Sequence, residues 1–375
     1  MRNIVTNLSK IKIVPMFVIL SILYSLQIFG QWNFQLATNQ EYSSNPFRSV
    51  NPYSDFISTF NVGIEREFED FNILYFGSYS KFKESSDIDY YWHQLGFYQE
   101  TESVIWGAYF EQRFNKDLNN YFNYLNYAAY AKKQFQLLNI NWEANLSLNS
   151  MNYSEIPDFN NWIASTGLLG RKSFETKTTL IGTVILNYKG FKNFNANIDS
   201  VSGTEFIYYN SENVNISQLV LNGRLAQSII ENTGLALNFN YKTILSGSGF
   251  SASLIQSTYG DTELYDDPIS QEGYSYGGTL TQILPLDISL KLNYTYLDKN
   301  YPSQGIYLSE TEYQVYVARQ DKQSIFSASI SKPIYFDNGN ELNLNLNYYL
   351  ITNKSNSYNF NYDINTLSLS LNYIF

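Results

Sequence analysis

No cysteine occurs in this chain, which removes disulfides, zinc–thiolate sites and cysteine nucleophiles together. His93 is the only histidine, so multi-histidine metal centres are excluded and a Ser–His–Asp mechanism has one candidate base. Positive charge is also sparse, with 24 Lys+Arg against 34 Asp+Glu and a formal net charge of -10. Arg2, Lys10 and Lys12 stand ahead of the first apolar run, so the chain from Gln31 onward carries 21 cations against the same 34 acids, a formal -13. A polyanion needs clustered cations, so nucleic acid is not expected as a partner. Phosphate-cradling patterns are missing, and "GSGF" at Gly247 to Phe250 is only a loop cue. After the first thirty residues no apolar run is long enough for a transmembrane helix.

The N-terminus reads as an address. Arg2, Lys10 and Lys12 form a positive n-region, Ile13 to Phe29 is apolar, and Gly30 supplies the small residue of a cleavage site ahead of Gln31. The expectation is a signal peptide over residues 1–30 and a single domain over 31–375. An uncleaved anchor is the alternative.

What the chain has in abundance is aromatic: 34 tyrosines and 26 phenylalanines, within a mean hydropathy of only -0.28. Apolar and polar residues alternate one by one rather than in blocks. Leu342, Leu344, Leu346, Tyr348 and Leu350 oppose Asn343, Asn345, Asn347 and Tyr349. Ile288, Leu290, Leu292, Tyr294 and Tyr296 oppose Ser289, Lys291, Asn293 and Thr295, and Val104, Trp106, Ala108, Phe110 and Phe114 oppose Gly107, Tyr109, Glu111 and Arg113. Period-two patterning of this kind marks strands with one greasy and one wet face.

The connections alternate too. Short ones, such as Gln136 to Asn139 and Glu231 to Thr233, interleave with connections that are longer on the whole, such as Lys189 to Asn213, Gly247 to Gly273 and Lys299 to Asp321. Tight turns on one side and larger loops on the other belong to a transmembrane antiparallel up-and-down β-barrel. A sheet closed on itself satisfies every backbone group in hydrocarbon, so only outward side chains need be apolar. Counting Trp32 to Thr38 as the first strand and leaving Glu312 to Gln320 in an outer loop gives about 16 strands, with 14 as the alternative.

The final segment, "NTLSLSLNYIF", keeps this order to the last residue, with Leu367, Leu369, Leu371, Tyr373 and Phe375 on one face. It reads as the closing strand. Its ending resembles the C-terminal signal of Gram-negative outer-membrane barrel proteins, a final Phe preceded by alternating apolar residues. Carried by Leu369, Leu371, Tyr373 and Phe375, the resemblance implies the cell outer membrane as location and the barrel-assembly machinery as a partner during biogenesis.

Candidate functional residues follow from phase. Glu65, Glu67, Glu111, Arg113, Arg171, Gln218, Arg224, Lys242 and Lys291 fall on wet strand faces and should line the lumen, where opposed charges set solute preference; a structural network filling the lumen is the alternative. Tyr90, Tyr91, Trp92, Trp142, Trp162, Tyr188, Tyr241, Tyr348 and Tyr373 lie at strand ends and read as interfacial girdles, or alternatively as carbohydrate-stacking rings. Ser78 or Ser80 beside His93 would be the only lipase-like pairing. Asp261, Glu263, Asp266 and Asp267 would be the only calcium-like cluster, without EF-hand spacing. No cofactor is implied. The expected role is a passive pore for small polar solutes or ions, with a non-conducting scaffold, adhesin or secretion component as the alternative.

Overall fold

The computed structural model describes residues 32–116, 120, 122–192, 199–201, 204–206, 215–247, 266–310 and 312–375. In chain order the strands are β1 (Trp32–Ser43), β2 (Asp55–Glu67), β3 (Asn72–Phe82), β4 (Tyr90–Glu100), β5 (Val104–Asn115), β6 (Tyr124–Leu137) and β7 (Ile140–Tyr153). There follow β8 (Asn161–Ser173), β9 (Thr178–Phe191), β10 (Asp199–Val201), β11 (Thr204–Phe206), β12 (Asn215–Ile230), β13 (Thr233–Gly247) and β14 (Glu272–Leu284). The last six are β15 (Ile288–Tyr301), β16 (Ile306–Tyr307), β17 (Tyr313–Gln314), β18 (Arg319–Tyr335), β19 (Glu341–Ser355) and β20 (Tyr362–Ile374).

Sixteen of these close into one antiparallel barrel, each bonded to its neighbour in sequence, with β1 and β20 sealing the ring. The pairs β10–β11 and β16–β17 are separate two-stranded hairpins on the long-loop side. The strand character anticipated around Glu312 to Gln320 divides accordingly: Tyr313 and Gln314 form a loop hairpin with β16, and Arg319 and Gln320 begin barrel strand β18. β1 is a full strand of 12 residues, reaching Ser43 rather than stopping at Thr38. Its extension was hidden because Thr38 and Gln40 break the greasy row; both share a face with Leu371 and Leu369.

Residues directly opposed across a ladder share a face, so the register carries side-chain direction right around the ring. Phe60, Tyr79, Tyr91 and Phe114 are successive partners on the outside of β2 to β5. On β20 the alternation is visible as exposure, with Leu367 at 50% and Leu369 at 48% flanking Ser368 at 6%. The outward leucines, tyrosines and phenylalanines therefore form the lipid-facing surface.

The tight turns use the backbone twist of hairpins. Leu138 and Asn139 both sit at positive φ, 55° and 57°, as a two-residue primed turn demands. At the other side, Gly247 and Gly273 flank the longest connection with φ of 86° and 132°. A Cβ there would lie 1.7 Å from the Asn215 carbonyl and 1.9 Å from that of Asp298, so both positions require glycine.

The seam ties the two ends of the sheet together. Phe34 and Phe375 exchange backbone hydrogen bonds of 2.9 and 3.0 Å, and their rings stack at 5.6 Å. Tyr373 stacks on Phe375 at 5.3 Å. Among the described residues the barrel has no central apolar core. Two buried apolar clusters among the described residues, Phe47–Ile57–Phe82 and Phe360–Tyr362–Ile364, sit at the long-loop rim, where they fix loop positions.

Candidate functional site

Every inner side chain can be placed by register. Glu65 opposes Asn33 and Leu74; Glu111 opposes Gln94 and Asn126; Arg113 opposes Trp92 and Tyr124. Arg171 opposes Asn141 and Ile181, which in turn opposes Arg224; Lys242 opposes Val220; Lys291 opposes Thr281 and Ser329. With Glu67 across from Asn72 and Gln218 across from Asn187, all nine lie on the face away from the leucine and tyrosine rows.

They are not equivalent once there. Glu65 accepts the Tyr98 hydroxyl at 2.6 Å, Glu67 an Asn33 amide at 3.2 Å and Glu111 the Tyr124 hydroxyl at 2.7 Å. Arg113 is buried, bonded through Nε to Asn115 at 3.0 Å and seated 4.0 Å over the Tyr90 ring. Gln218 is buried as well; its amide nitrogen donates to the carbonyls of Pro268, Ile269 and Gln271 at 2.8–3.1 Å. Arg171, Arg224 and Lys291, by contrast, have no ion pair among the described residues.

The inner face divides into two arcs. From β19 through the seam to β7 it carries Glu341, Glu41, Asp55, Glu65, Glu67, Glu100, Glu111 and Glu143, with Arg113 and Lys132 as its cations. From β8 to β18 it carries Arg171, Lys189, Arg224, Lys242, Lys291, Lys299 and Arg319, with Asp321 as its acid. Size divides the same way. The acidic arc bears Phe76, Tyr90, Trp92, Tyr98, Tyr109, Tyr124 and Tyr130 on its inner face. The basic arc between β12 and β15 bears Asn222, Ala226, Ala236, Asn238, Asn240, Ser275, Gly277 and Thr279. That thin wall leaves two cavities, of about 340 and 350 Å3, which share Arg224. The first is lined also by Thr183, Asn222, Asn240, Ser275 and Thr295, the second by Thr179, Ala236, Thr279 and Thr281.

Segment 266–271, the last described part of the longest connection, touches inner residues of five strands and so lies inside the outer mouth. Asp267 pairs with Lys189 at 2.8 Å, and Asp266 with Lys299 at 2.7 Å and, more distantly, with Arg319 at 3.9 Å. Lys242 reaches the Pro268 carbonyl at 3.4 Å. Burial by itself pushes the Asp266 carboxyl upward, but the Lys299 and Arg319 cations outweigh it and hold the group at about 2, against an ordinary 3.8. Arg319, 1% exposed, is clasped by Asp321, donates to Gln304 Oε1 at 3.0 Å and lies over the rings of Tyr301 and Phe360 at 4.2 and 3.3 Å.

Several sequence expectations change here. Tyr90 and Trp92 are not girdle rings: Tyr91 faces outward, stacked on Tyr79 at 4.6 Å, so its two neighbours must face in. Tyr91, Trp142, Trp162, Tyr188, Tyr241, Tyr348 and Tyr373 do lie on the outer face. His93 also faces out, its Nδ1 2.8 Å from the Tyr75 hydroxyl, whereas Ser78 and Ser80 face in. A serine–histidine pair across the sheet thickness cannot form. Asp266 and Asp267 are engaged by lysines rather than converging on a cation site; Asp261 and Glu263 lie outside the described residues, as do residues 1–30, where a signal peptide is expected.

A closed sixteen-stranded antiparallel barrel with an apolar exterior and a polar interior has the architecture of a transmembrane β-barrel, which crosses the bilayer with every strand. The particular relatives are structural ones. The chain is similar to the crystal structure of Pseudomonas aeruginosa OpdQ, with a TM-score of 0.51 and 10% identity over 92% of this chain and 97% of that one. It is similar to Pseudomonas aeruginosa OccK8 (OprE), with a TM-score of 0.50 and 9% identity over 92% and 98%. The outer membrane protein opdK from the same organism gives 0.48 and 9% over 92% and 98%. At these identities the likeness is one of fold. No protein-family model matches the sequence, and no curated protein matches it.

Proposed function

We propose that this barrel is a passive channel for small polar solutes or ions in the outer membrane. The observation that carries the reading is the pair of cavities along the thin wall, which share Arg224 and present Thr179, Thr183, Asn222, Asn240 and Thr281 among apolar side chains such as Ile181, Leu235 and Phe239. Sixteen strands enclose a lumen wide enough for water, and polar lining groups replace part of a solute's hydration. Glu65, Glu67, Glu111, Arg171, Arg224, Lys242 and Lys291 act as lining charges, while Arg113 and Gln218 hold the wall and the inserted segment. No catalytic step is assigned.

Purified protein in a planar bilayer tests this. Stepwise currents are expected; a correctly inserted but silent barrel overturns the reading. The rival is a non-conducting surface scaffold, favoured by the packing of segment 266–271 into the mouth. The silent result would support it.

The last strand serves as the assembly signal, with Leu369, Leu371, Tyr373 and Phe375 read by the barrel-assembly machinery, and residues 1–30 direct export. Removing Phe375 should lower the folded yield in the outer membrane several-fold; an undiminished yield would count against this role.

A further inference from the structure

We infer that the lumen favours zwitterionic solutes, which cross with the carboxylate toward β12–β15 and the ammonium toward β1–β2. This rests on the channel reading and deepens it. The two arcs described above carry nine carboxylates and nine cations on their inner faces in total, so the wall has no net sign. A solute of one charge meets as much repulsion as attraction. A solute with both charges, properly turned, meets attraction on each side.

The geometry places unpaired charges where this matters. In the ring of sixteen, β2 and β12 stand eight strands apart and so face one another across the lumen. Glu65 and Glu67 project from β2 near its tight turn, and Arg224 from β12 seven residues before the turn that follows Ile230. Lys291, three residues into β15, extends the positive wall at the tight-turn end. None of these four is spent on an ion pair among the described residues, unlike the lysines of the outer mouth. The bulky rings of β4–β6 fill the acidic side and displace the free passage toward Arg224. That narrowing matters because ions screen charges beyond about 8 Å at physiological salt.

Proteoliposomes of the full chain provide the test, comparing influx of L-serine with that of erythritol, a neutral solute of similar size, and with lactate and ethanolamine as singly charged controls. At low salt L-serine is expected to enter about tenfold faster than erythritol, at the modest end of electrostatic focusing. In R224Q/K291Q the ratio should fall toward one, and 1 M salt should do the same to the parent protein, where screening acts within about 3 Å. Arg224 is exposed in the lumen and unpaired, so R224Q alone should still fold, and its heat-modifiable gel mobility verifies insertion. Equal entry of L-serine and erythritol through a conducting barrel overturns the inference and leaves the channel reading standing. If no solute enters and no current flows, the channel reading itself fails and takes the inference with it.

Discussion

Two arcs of one continuous sheet, built with the same pairing rules, have opposite inner surfaces. Between β3 and β7 the inner positions are filled by rings tied to carboxylates, as in Tyr98 on Glu65 and Tyr124 on Glu111. Between β12 and β15 they are filled by glycine, alanine, serine, threonine and asparagine around an unpaired arginine. Lipid constrains the outward half of every strand alike, since it must stay apolar whichever arc it belongs to. Only the inward half is free to vary, so the difference between the arcs lies wholly on the lumen side.

The sharpest break in that contrast should come from Arg319→Ala. It strips the basic arc of a fully buried cation and leaves Asp321, 0% exposed, without its clasp. A loss of about 3–5 kcal/mol is expected, read as a lower midpoint for urea unfolding in detergent; an unchanged midpoint would refute the role given to this pair. Acid should act next, at the same mouth. The Asp266 carboxyl is held at about 2 in the folded protein, below its ordinary 3.8. Its stabilisation is therefore complete above about pH 4 and is lost as the pH falls through about 2. Current noise from a loosened segment 266–271 should rise over that window, and Asp266→Asn should show it already at neutral pH.

Smaller effects sharpen the comparison of wall thickness. Ser275→Tyr places a ring in the 340 Å3 cavity and should cut single-channel conductance while changing stability by no more than about 0.5 kcal/mol. Tyr109→Ala, across the sheet on the thick arc, should raise conductance instead. Equal conductance in both variants would mean that solute does not follow the thin wall. Least of all should come from Lys83→Ala, because the Lys83–Glu84 pair has side chains 70% and 60% exposed at the rim; no change in midpoint or current is expected.

The barrel was legible in the sequence because alternation and turn spacing are local. Ile288–Tyr296 and Thr366–Phe375 read directly as half-greasy strands, and the count of sixteen agrees with the ring. Phase failed where the chain gave no contrast: Tyr90-Tyr91-Trp92 are three aromatics in a row, so only the partners Ser80, Tyr79 and Ser78 decide which rings face in. The division into arcs was illegible for a different reason. It depends on which strands stand opposite, information that exists only after closure. Nor did "LYDDP" reveal that its aspartates fold inward onto Lys189 and Lys299, because those partners lie 78 and 33 residues away.

The seam has a further consequence for how the molecule comes into being. Gln35 bonds Asn372 across 337 residues, and every rung between β1 and β20 spans a comparable stretch. Such rungs carry the largest loop-closure cost in the molecule and cannot exist until the final strand has been delivered. Until then the growing sheet has two raw edges, each open to any stray strand, in a solvent that offers no water to satisfy them. Completion is thus a single late event, and whatever guards those edges during synthesis matters as much as the ladder that finally seals them.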